Sequence, residues 1–465
     1  MTHPGIIQKN ILRTSNKRYL KISHVFIIKM DSYICSMGYS LVCDSVPSHF
    51  MENILTDLCV KPLENPNFER KIKEYPVYRM SQDRKKIYIP RYYGIEKYGQ
   101  TTSKLKEGQS INCSFVGNLR NLQQTTIEET IKTLDTFGGG LISLDTGLGK
   151  TVVALKLISL IGKKTLIIVH AEFLLEQWSQ RIKQFLPDAR IGIIRQSSCE
   201  YSDCDIVIGM LQSIIKRDYP PECYKGLGMM IIDEAHHICS KSFSSIFYKV
   251  QTKYMIGLSA TPDRKDGLTK VLYWFLGPQI VDIKRESDKP VIKFVYNQTP
   301  GVEKFNKIGK LNNPIMITDL TLNKERNELI IKTIQELLVE SRKILVLSER
   351  RNHCEYLVNE LKLLGISCGL YLGGMKQNSR NETVETNVII GTYQASGEGF
   401  DVPTLDTLIL STPKSDIQQA VGRILRQKNQ NTPLVMDIVD CFSLFRGMYY
   451  KRKKFYNNSG IIIRQ

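Results

Sequence analysis

Short runs of Ile, Val, Leu and Met alternate with amphipathic segments along most of the chain, and the alternation occurs in two successive series. Continuous apolar runs of this length are typical of parallel strands that are buried on both faces of a sheet. The first series predicts strands at Leu141–Leu144, Thr165–His170, Asp205–Met210, Met229–Asp233 and Met255–Ala260. The second series predicts strands at Ile344–Ser348, Gly369–Leu372, Asn387–Thr392, Thr407–Ser411 and Leu434–Val439.

Segments with helical periodicity lie between these strands. They are Thr151–Ile161, Phe173–Phe185, Glu325–Glu340 and Cys354–Leu364. Strands that alternate with helices form βα units, so the pattern predicts an α/β fold with two doubly wound parallel sheets. We expect one α/β domain over residues 116–278 and a second over residues 323–465.

The two regions outside these domains have a different pattern. Residues 279–322 are irregular and carry several prolines, which predicts a hinge with a small two-stranded insert at Gln279–Lys284 and Val291–Tyr296. Residues 1–115 form a basic N-terminal module. Its stretch Arg79–Tyr98 interleaves Arg and Lys with Tyr, which suits either a nucleic-acid path or an ordinary solvated β-hairpin face.

Composition and charge narrow the class of protein. The chain has 465 residues, of which 42% are hydrophobic and 24% charged, and these values indicate globular domains rather than a disordered or fibrous chain. The formal net charge of +18 favours a polyanionic partner, of which nucleic acid is the commonest. A basic surface without such a partner is the alternative.

The cysteines and the apolar runs indicate the compartment. Eleven cysteines are scattered without a CxxC pair, so neither a zinc site nor a disulfide framework is expected, and a reducing compartment is indicated. We find no signal peptide and no run near the roughly 20 apolar residues that a membrane span needs. We therefore expect a soluble, intracellular protein of the cytoplasm or nucleus.

A glycine-rich segment, LDTGLGKT at 144–151, follows a predicted strand and opens a predicted helix. In this context backbone N–H groups and the helix N-terminus bind phosphates, and Gly147 and Gly149 allow the backbone to come close. Lys150 would reach the β- and γ-phosphates of a nucleotide, and the Thr151 hydroxyl would hold Mg²⁺. The usual first glycine is replaced by Leu144. A chance loop is the alternative.

A pair of acidic residues ends the predicted strand of the segment MMIIDEAHH at 229–237. The carboxyl ends of parallel strands share one edge of the sheet, so Asp233 and Glu234 would lie beside the phosphate loop. Asp233 would bind the Mg²⁺ shell, and Glu234 would orient and deprotonate the attacking water. The alternative is a helix N-cap. We assign no metal to the adjacent histidines, because neighbours on a strand point to opposite sides.

With these motifs, the region from about Leu119 to the C-terminus resembles the superfamily 2 DEAH-type helicases. It is most similar to the XPB-like branch, with the transcript-release helicases of poxviruses and their relatives in large DNA viruses. The resemblance implies two tandem RecA-like domains with ATP in the cleft between them. It also implies that Gln123 of LRNLQ contacts adenine. Gln177 of LLEQW and Ser213 of MLQS would contact nucleic acid.

The same resemblance extends to the elements that couple hydrolysis to movement. Ser259 and Thr261 belong to a SAT motif, and His236 of DEAH is implied in the same coupling. The following Arg264–Asp266 is similar to the RED element of the XPB-like branch, with lysine in place of the acidic middle residue.

The second α/β region carries further motifs of this family. IGT at 390–392 and GEGFDVP at 397–403 resemble motif V, which implies that Thr392 contacts nucleic acid and Asp401 the nucleotide. QAVGRILR at 419–426 resembles motif VI. Arg423 and Arg426 are three residues apart, so both would lie on one helix face and reach the γ-phosphate. Phe445–Gln465 contains no acidic residue and resembles the closing helix of the branch, with a solvated tail as the alternative.

The resemblance implies an ATP- and Mg²⁺-dependent helicase or translocase that favours DNA over RNA. It also implies a role in viral transcription or transcript release, and a virion location if the chain is viral. An RNA helicase and the motor subunit of a restriction-type nuclease are the alternatives among enzymes. A non-hydrolysing nucleic-acid scaffold is the alternative outside them, and the presence of all five predicted catalytic residues argues against it.

Overall fold

A computed structural model describes most of the chain, namely residues 30–63, 74–145, 147–240, 244–264, 266–284, 289–375, 377–397, 402–425, 431–459 and 461–464. The chain divides into two compact units, Met1–Arg285 and Glu286–Gln465. Each unit contains one large, mainly parallel sheet. The predicted α/β class with two parallel-sheet domains is therefore confirmed. No helix in the described ranges has the length and apolar character to cross a membrane.

The first unit begins with a small antiparallel module. Its strands are β1 (Ser32–Cys35), β2 (Gly38–Val42), β3 (Cys59–Val60), β4 (Tyr75–Pro76), β5 (Arg79–Met80) and β6 (Lys86–Ile89), and its helices are α1 (Ser48–Asp57) and α2 (Arg91–Tyr98). Four strands form a sheet in the order β1-β2-β6-β5, and β3 pairs with β4. Hydrophobic residues of this module and of the large sheet form one continuous core.

The stretch Arg79–Tyr98, predicted as a nucleic-acid path or a hairpin face, forms the β5–β6 hairpin and α2. Tyr92 and Tyr93 of α2 are buried, and the Arg91 guanidinium donates to the backbone carbonyls of Thr252 and Lys253. The rings of Tyr92 and Tyr93 and the guanidinium of Arg91 are therefore part of the protein core. The prediction of a nucleic-acid path is therefore wrong for Tyr92 and Tyr93 of α2, because both rings are buried in the core that the module shares with the large sheet.

The large sheet of the first unit has eight strands. They are β7 (Gly139–Leu144), β8 (Thr165–Val169), β9 (Ile191–Arg195), β10 (Ser198–Cys199), β11 (Ile206–Met210), β12 (Met229–Ile232), β13 (Tyr254–Ser259) and β14 (Gln279–Ile283). Their order is β10-β9-β11-β8-β12-β13-β7-β14, and every neighbouring pair is parallel except β9 and β10. All five strands predicted for this unit are present.

Helices cover the sheet of the first unit. The α-helices are α3 (Asn121–Phe137), α4 (Lys150–Ile161), α5 (Glu172–Phe185), α6 (Leu211–Lys216) and α7 (Thr269–Leu276), and 3-10 helices span Pro221–Tyr224, Ala235–Cys239 and Ser245–Tyr248. Strand β8 shows why its apolar run is continuous. Leu166 and Ile168 belong to the core shared with the N-terminal module, whereas Ile167 and Val169 belong to the core of the opposite face.

The second unit contains a seven-stranded sheet. Its strands are β15 (Val291–Asn297), β16 (Ile344–Ser348), β17 (Cys368–Tyr371), β18 (Val388–Thr392), β19 (Thr407–Leu410), β20 (Leu434–Asp440) and β21 (Ile462–Arg464). Their order is β17-β18-β16-β19-β20-β15-β21, and all neighbouring pairs are parallel. The helices are α8 (Asn313–Leu322), α9 (Lys324–Val339), α10 (Arg351–Leu363), α11 (Gln377–Glu385), α12 (Tyr393–Gly397), α13 (Gln418–Gly422) and α14 (Ser443–Asn458), and a 3-10 helix spans Arg423–Leu425.

The last helix, α14, is held on its sheet by a buried ion pair. The Arg452 guanidinium donates two hydrogen bonds of 2.8 Å to the Asp437 carboxylate of β20. The Tyr456 hydroxyl donates to the same carboxylate at 2.9 Å. The C-terminal segment is thus a packed helix over Ser443–Asn458, which agrees with the implied closing helix, and a solvated tail is the wrong description of it.

The predicted two-stranded insert is not present. Gln279–Ile283 pairs with β7 at the edge of the first sheet, and Val291–Asn297 lies between β20 and β21 in the second. A lone pair of strands is only marginally stable in water, whereas each of these segments completes a large sheet when it pairs there. The region predicted as a hinge therefore contributes one strand to each unit.

Two of the eleven cysteines form a disulfide that the sequence does not predict. Cys199 of β10 and Cys223 of the 3-10 helix Pro221–Tyr224 form a disulfide, with their Cα atoms 6.7 Å apart. The two residues are 24 positions apart, and only the fold brings them together. The sequence predicts no disulfide framework, and this single pair is not marked by any spacing pattern in the chain.

Candidate functional site

The glycine-rich segment connects β7 to α4, as predicted. Gly147 and Gly149 have φ angles of +84° and +87°, a region that side chains with a Cβ rarely adopt. A Cβ placed on Gly149 would lie 2.3 Å from the Gln123 amide nitrogen, so a larger residue there would displace the Gln123 side chain from the loop. Helix α4 begins at Lys150, and its first N–H groups and dipole favour an anion at this end.

Two residues ahead of the loop support its backbone. The Gln123 side chain is buried, and its amide donates to the Leu148 carbonyl at 3.1 Å while its oxygen accepts from the Arg120 N–H at 2.9 Å. The Arg120 guanidinium donates to the Gly147 carbonyl at 3.3 Å. The implied adenine contact of Gln123 stays a prediction, but the residue lies directly against the phosphate loop.

Lys150 extends back along the loop, where its ammonium group donates to the Leu144 carbonyl at 3.1 Å. Thr151 follows it in the first turn of α4. Burial raises the pKa of Asp233, and the positive charge of Lys150 opposes part of that rise. The phosphate loop and the acidic pair therefore lie close enough to interact electrostatically, as expected for two carboxyl ends on one edge of a sheet.

Asp233 follows β12 and is held by two hydrogen bonds. The Trp178 indole N–H donates to one carboxylate oxygen at 2.9 Å, and the Glu234 N–H donates to the other at 3.0 Å. Burial raises the pKa of Asp233 to about 6, and the neighbouring Glu234 charge acts in the same direction. Such a perturbed pKa of a half-buried acid at a strand end is typical of functional sites.

The alternative of a helix cap does not hold for this pair. The 3-10 helix Ala235–Cys239 has Glu234 as its N-cap residue, and no side chain accepts a capping hydrogen bond there. Trp178 was not predicted to belong to the site. Its indole reaches Asp233 from helix α5, 55 residues away in sequence, and only its position beside Gln177 in LLEQW signalled it.

The residues predicted to couple hydrolysis to movement meet at one place. Nδ1 of His236 lies 3.4 Å from a Glu234 carboxylate oxygen and 3.1 Å from the Ser259 hydroxyl. The Ser259 hydroxyl also accepts from the Thr261 N–H at 3.2 Å. The structure thus links the acidic pair to the SAT segment through a single imidazole. The coupling role of these residues stays a prediction.

The histidine pair lies on a 3-10 helix and not on a strand, so the reason given for excluding a metal is wrong. The rings of His236 and His237 contact each other, with centroids 4.3 Å apart, instead of pointing to opposite sides. Among the residues that the structure describes, no group of three or more His, Cys, Asp or Glu side chains could hold a metal ion.

Arg264 joins the same group of residues. Its guanidinium donates to the His236 carbonyl and to the Asp266 carboxylate, with 2.9 Å between Nε and the carboxylate oxygen. The lysine between Arg264 and Asp266, which departs from the family pattern, lies outside the described residues.

The predicted nucleic-acid contacts lie just after strand ends. Gln177 is half-buried on α5, which follows β8. The Ser213 hydroxyl of α6 accepts from the Gln196 N–H at 2.9 Å. At the end of β18 the Thr392 hydroxyl accepts from the Ala395 N–H at 3.2 Å. Their positions agree with a surface at the carboxyl edge of each sheet, and their contacts with nucleic acid stay predictions.

The arginines of the second unit are described only in part. Helix α13 ends at Gly422 and continues as a 3-10 helix from Arg423, which is buried. Arg426 and Asp401 lie outside the described residues. The predicted common helix face of the two arginines is therefore untested.

Comparisons with known proteins agree with this site. Residues 117–264 match the family described as Type III restriction enzyme, res subunit, and residues 325–428 match the Helicase conserved C-terminal domain. A protein of Acanthamoeba polyphaga mimivirus, named as an ATP-dependent RNA helicase, is 33% identical over 446 residues, covering 91% of this chain and 85% of that protein.

Two further relatives come from other viruses. A protein of Invertebrate iridescent virus 6, named as a helicase, is 30% identical over 380 residues, or 76% of this chain and 84% of that protein. A protein of African swine fever virus (isolate Pig/Kenya/KEN-50/1950), named as an ATP-dependent RNA helicase, is 27% identical over 384 residues, or 74% of this chain and 73% of that protein.

Two parallel-sheet units, with a glycine-rich loop and an acidic pair at one sheet edge, are typical of nucleotide-hydrolysing motors of the α/β class. With the viral relatives, they show that the chain belongs to the superfamily 2 helicases. The protein is a nucleic-acid-dependent ATPase that binds nucleic acid.

Proposed function

We propose that ATP is hydrolysed at the edge where β7 and β12 end. The observation that carries this proposal is that β7 and β12 are parallel strands of one sheet, so the glycine-rich loop and the acidic pair that follow them lie at the same carboxyl edge. Lys150 would bind the β- and γ-phosphates, and Glu234 would orient the attacking water and accept its proton. Gln123 would contact adenine beside the loop.

We propose Mg²⁺ as the metal of this site, held by Thr151 and Asp233. A hydroxyl and a carboxylate are the hard oxygen ligands that Mg²⁺ prefers. Burial and the Glu234 charge both disfavour ionised Asp233, and a divalent cation would offset that cost. When bound, Mg²⁺ supplies charge neutralisation on the phosphate oxygens.

Arg423 and Arg426 are proposed to stabilise the charge that develops on the transferred phosphoryl group. A guanidinium fork can bind two phosphate oxygens at once. Asp401 of the preceding motif is proposed to contact the nucleotide. We also propose that residues 116–278 and 323–465 form the two motor domains. Residues 1–115 would form the N-terminal module, and residues 279–322 would connect the two domains.

We propose that the protein belongs to the DEAH-type, XPB-like branch of these helicases. Membership of this branch favours DNA as the nucleic acid that it acts on. This proposal is supported by the motifs that the chain shares with that branch. The chain differs from the branch in having lysine between Arg264 and Asp266, where the branch has an acidic residue. Gln177, Ser213 and Thr392 would contact backbone phosphates, which position a strand without reading its sequence. Viral transcription or transcript release inside a cell or virion is the process we propose.

Two other candidates have specific support. RNA is favoured by the names of the mimivirus and African swine fever virus relatives. A restriction-type motor is favoured by the match of residues 117–264. Such a motor would need a nuclease partner, because we find no convincing pair of carboxylates with a lysine in the sequence.

The test is the ATPase rate with single-stranded DNA, duplex DNA and RNA of matched length and sequence. We expect both single-stranded DNA and duplex DNA to stimulate hydrolysis more than RNA does. Stronger stimulation by RNA would select the RNA helicase, and equal rates with and without nucleic acid would contradict the motor itself.

Binding to non-specific nucleic acid should weaken steeply as salt is added, because a basic surface with a net charge of +18 gains affinity from counterion release. The log–log slope should be roughly −0.7 to −0.9 for each phosphate contact. Fluorescence anisotropy from roughly 50 to 200 mM salt measures it. A flat titration over this range would show that phosphate contacts contribute little.

A further inference from the structure

Within the first unit, the N-terminal module contacts the large-sheet region next to the candidate site. The backbone N–H of Leu63 donates to the Asp266 carbonyl at 2.9 Å. The Tyr75 hydroxyl donates to the Cys239 carbonyl at the end of the 3-10 helix Ala235–Cys239. From the other side, the Tyr248 hydroxyl donates to the Val77 carbonyl at 2.6 Å. Two hydrogen bonds therefore join the module to the segment that follows the acidic pair, and a third joins it to Asp266 beyond the SAT segment.

We call Glu234–Cys239 the coupling turn. It contains Glu234 and His236, and it is tied to the SAT segment by the contact of His236 with Ser259. Arg264 holds it from outside, since its guanidinium donates both to the His236 carbonyl and to Asp266. Asp266 in turn accepts the module's Leu63 N–H. Direct contacts thus run without a gap from the module to the carboxylate of Glu234.

The hydrogen bond from Tyr75 to the coupling turn is buried, and so is the one between Tyr248 and Val77. The exposed fraction of Tyr75 is 4%, of Val77 0% and of Cys239 0%, and all three belong to the core that the module shares with the large sheet. Burial raises the pKa of Tyr75 to about 12, so its hydroxyl keeps its proton and stays a donor at neutral pH. A buried hydrogen bond of this kind fixes position, because breaking it leaves a carbonyl without a partner.

We propose that the N-terminal module is a brace for the coupling turn, in which Tyr75 is a positioning residue for Glu234 and His236. The module thereby acts on turnover and not on substrate capture, which agrees with the buried rings of α2. The proposal rests on the proposed function, because it assumes that Glu234 activates the water. The first unit is one compact body, so the brace is a permanent part of it.

Tyr75→Phe tests this proposal, and Tyr92→Phe is its matched control. Each change removes one hydroxyl that bonds a backbone carbonyl of the large-sheet region: Cys239 for Tyr75, and Phe137 at 3.2 Å for Tyr92. Phe137 precedes β7 at the opposite edge of the sheet from the coupling turn. Both tyrosines are buried, so the two variants should lose similar thermal stability.

We expect Tyr75→Phe to lower nucleic-acid-stimulated kcat about five-fold, the scale of one neutral hydrogen bond, with KM for ATP unchanged. Tyr92→Phe should keep the wild-type kcat. Hydrogen exchange of the Ala235–Cys239 amides should become faster in Tyr75→Phe and stay unchanged in Tyr92→Phe.

Equal kcat and equal exchange in the two variants would overturn the brace. If wild-type hydrolysis is stimulated by nucleic acid but Tyr75→Phe matches it, the brace fails and the proposed function stands. If the wild type shows no stimulation, the proposed function fails, and the exchange experiment alone still decides whether Tyr75 holds the coupling turn.

Discussion

Replacement of Lys150 by alanine is expected to abolish ATP hydrolysis while the fold stays intact. The ammonium group is the side-chain charge placed to reach the phosphates of a nucleotide in the loop, and its loss should lower turnover about 10²- to 10³-fold or more. In the folded chain it donates a hydrogen bond to the Leu144 carbonyl, and because such a bond contributes only about 1 kcal/mol, the variant should still fold. Steady-state ATPase rates beside a thermal unfolding curve give both quantities.

Lys156→Ala is the matched control, because it removes a lysine from the same helix. Its ammonium group lies 5.3 Å from the Phe115 ring centroid and not at the loop. This variant should hydrolyse ATP near the wild-type rate. If a folded Lys150→Ala variant kept its turnover, the assignment of Lys150 and the glycine-rich loop to phosphate binding would be wrong.

Glu234→Gln is expected to bind ATP and nucleic acid normally and to lose turnover about 10²- to 10⁴-fold, the contribution of a positioned general base. Glutamine keeps the size of the side chain but cannot accept the proton from water. The residue has a left-handed backbone, with φ of 46°, and both side chains meet the same strain there. Single-turnover hydrolysis together with binding titrations separates the chemical step from affinity.

Glu128→Gln, on the exposed face of α3, is the control for the loss of one negative charge. It should leave both turnover and affinity unchanged. A Glu234→Gln variant that hydrolyses ATP within two-fold of the wild type would exclude Glu234 as the base, and the DEAH segment would then need another mechanism.

The fold was largely predictable because its central strands are buried on both faces. Continuous runs such as Ile344–Ser348 are visible without any knowledge of tertiary structure, and helices of regular period follow them. Strand β9 (Ile191–Arg195) was missed for a physical reason. Its residues alternate between buried and half-buried positions near the edge of the sheet, so its run resembles a half-exposed segment.

The positions of the candidate site residues at strand ends were predictable because each motif is local in sequence. Gly149, Lys150 and Asp233 stand beside strand ends that the apolar pattern marks. Contacts between distant segments have no such signal. The hydrogen bond from Trp178 to Asp233 and the one from Tyr75 to Cys239 depend on how helices and the N-terminal module pack, which a single sequence does not encode in any short pattern.

The position of β15 decides where this chain can be divided into separately expressed halves. The strand lies between β20 and β21, so a cut near residue 300 would leave it on the wrong half. The second sheet would then expose unpaired backbone groups on both of its former neighbours, which invites aggregation. A junction between Ile283 and Val291 leaves β14 with the first sheet and β15 with the second. Reconstitution of activity from two half-chains should therefore begin with a cut in that short interval.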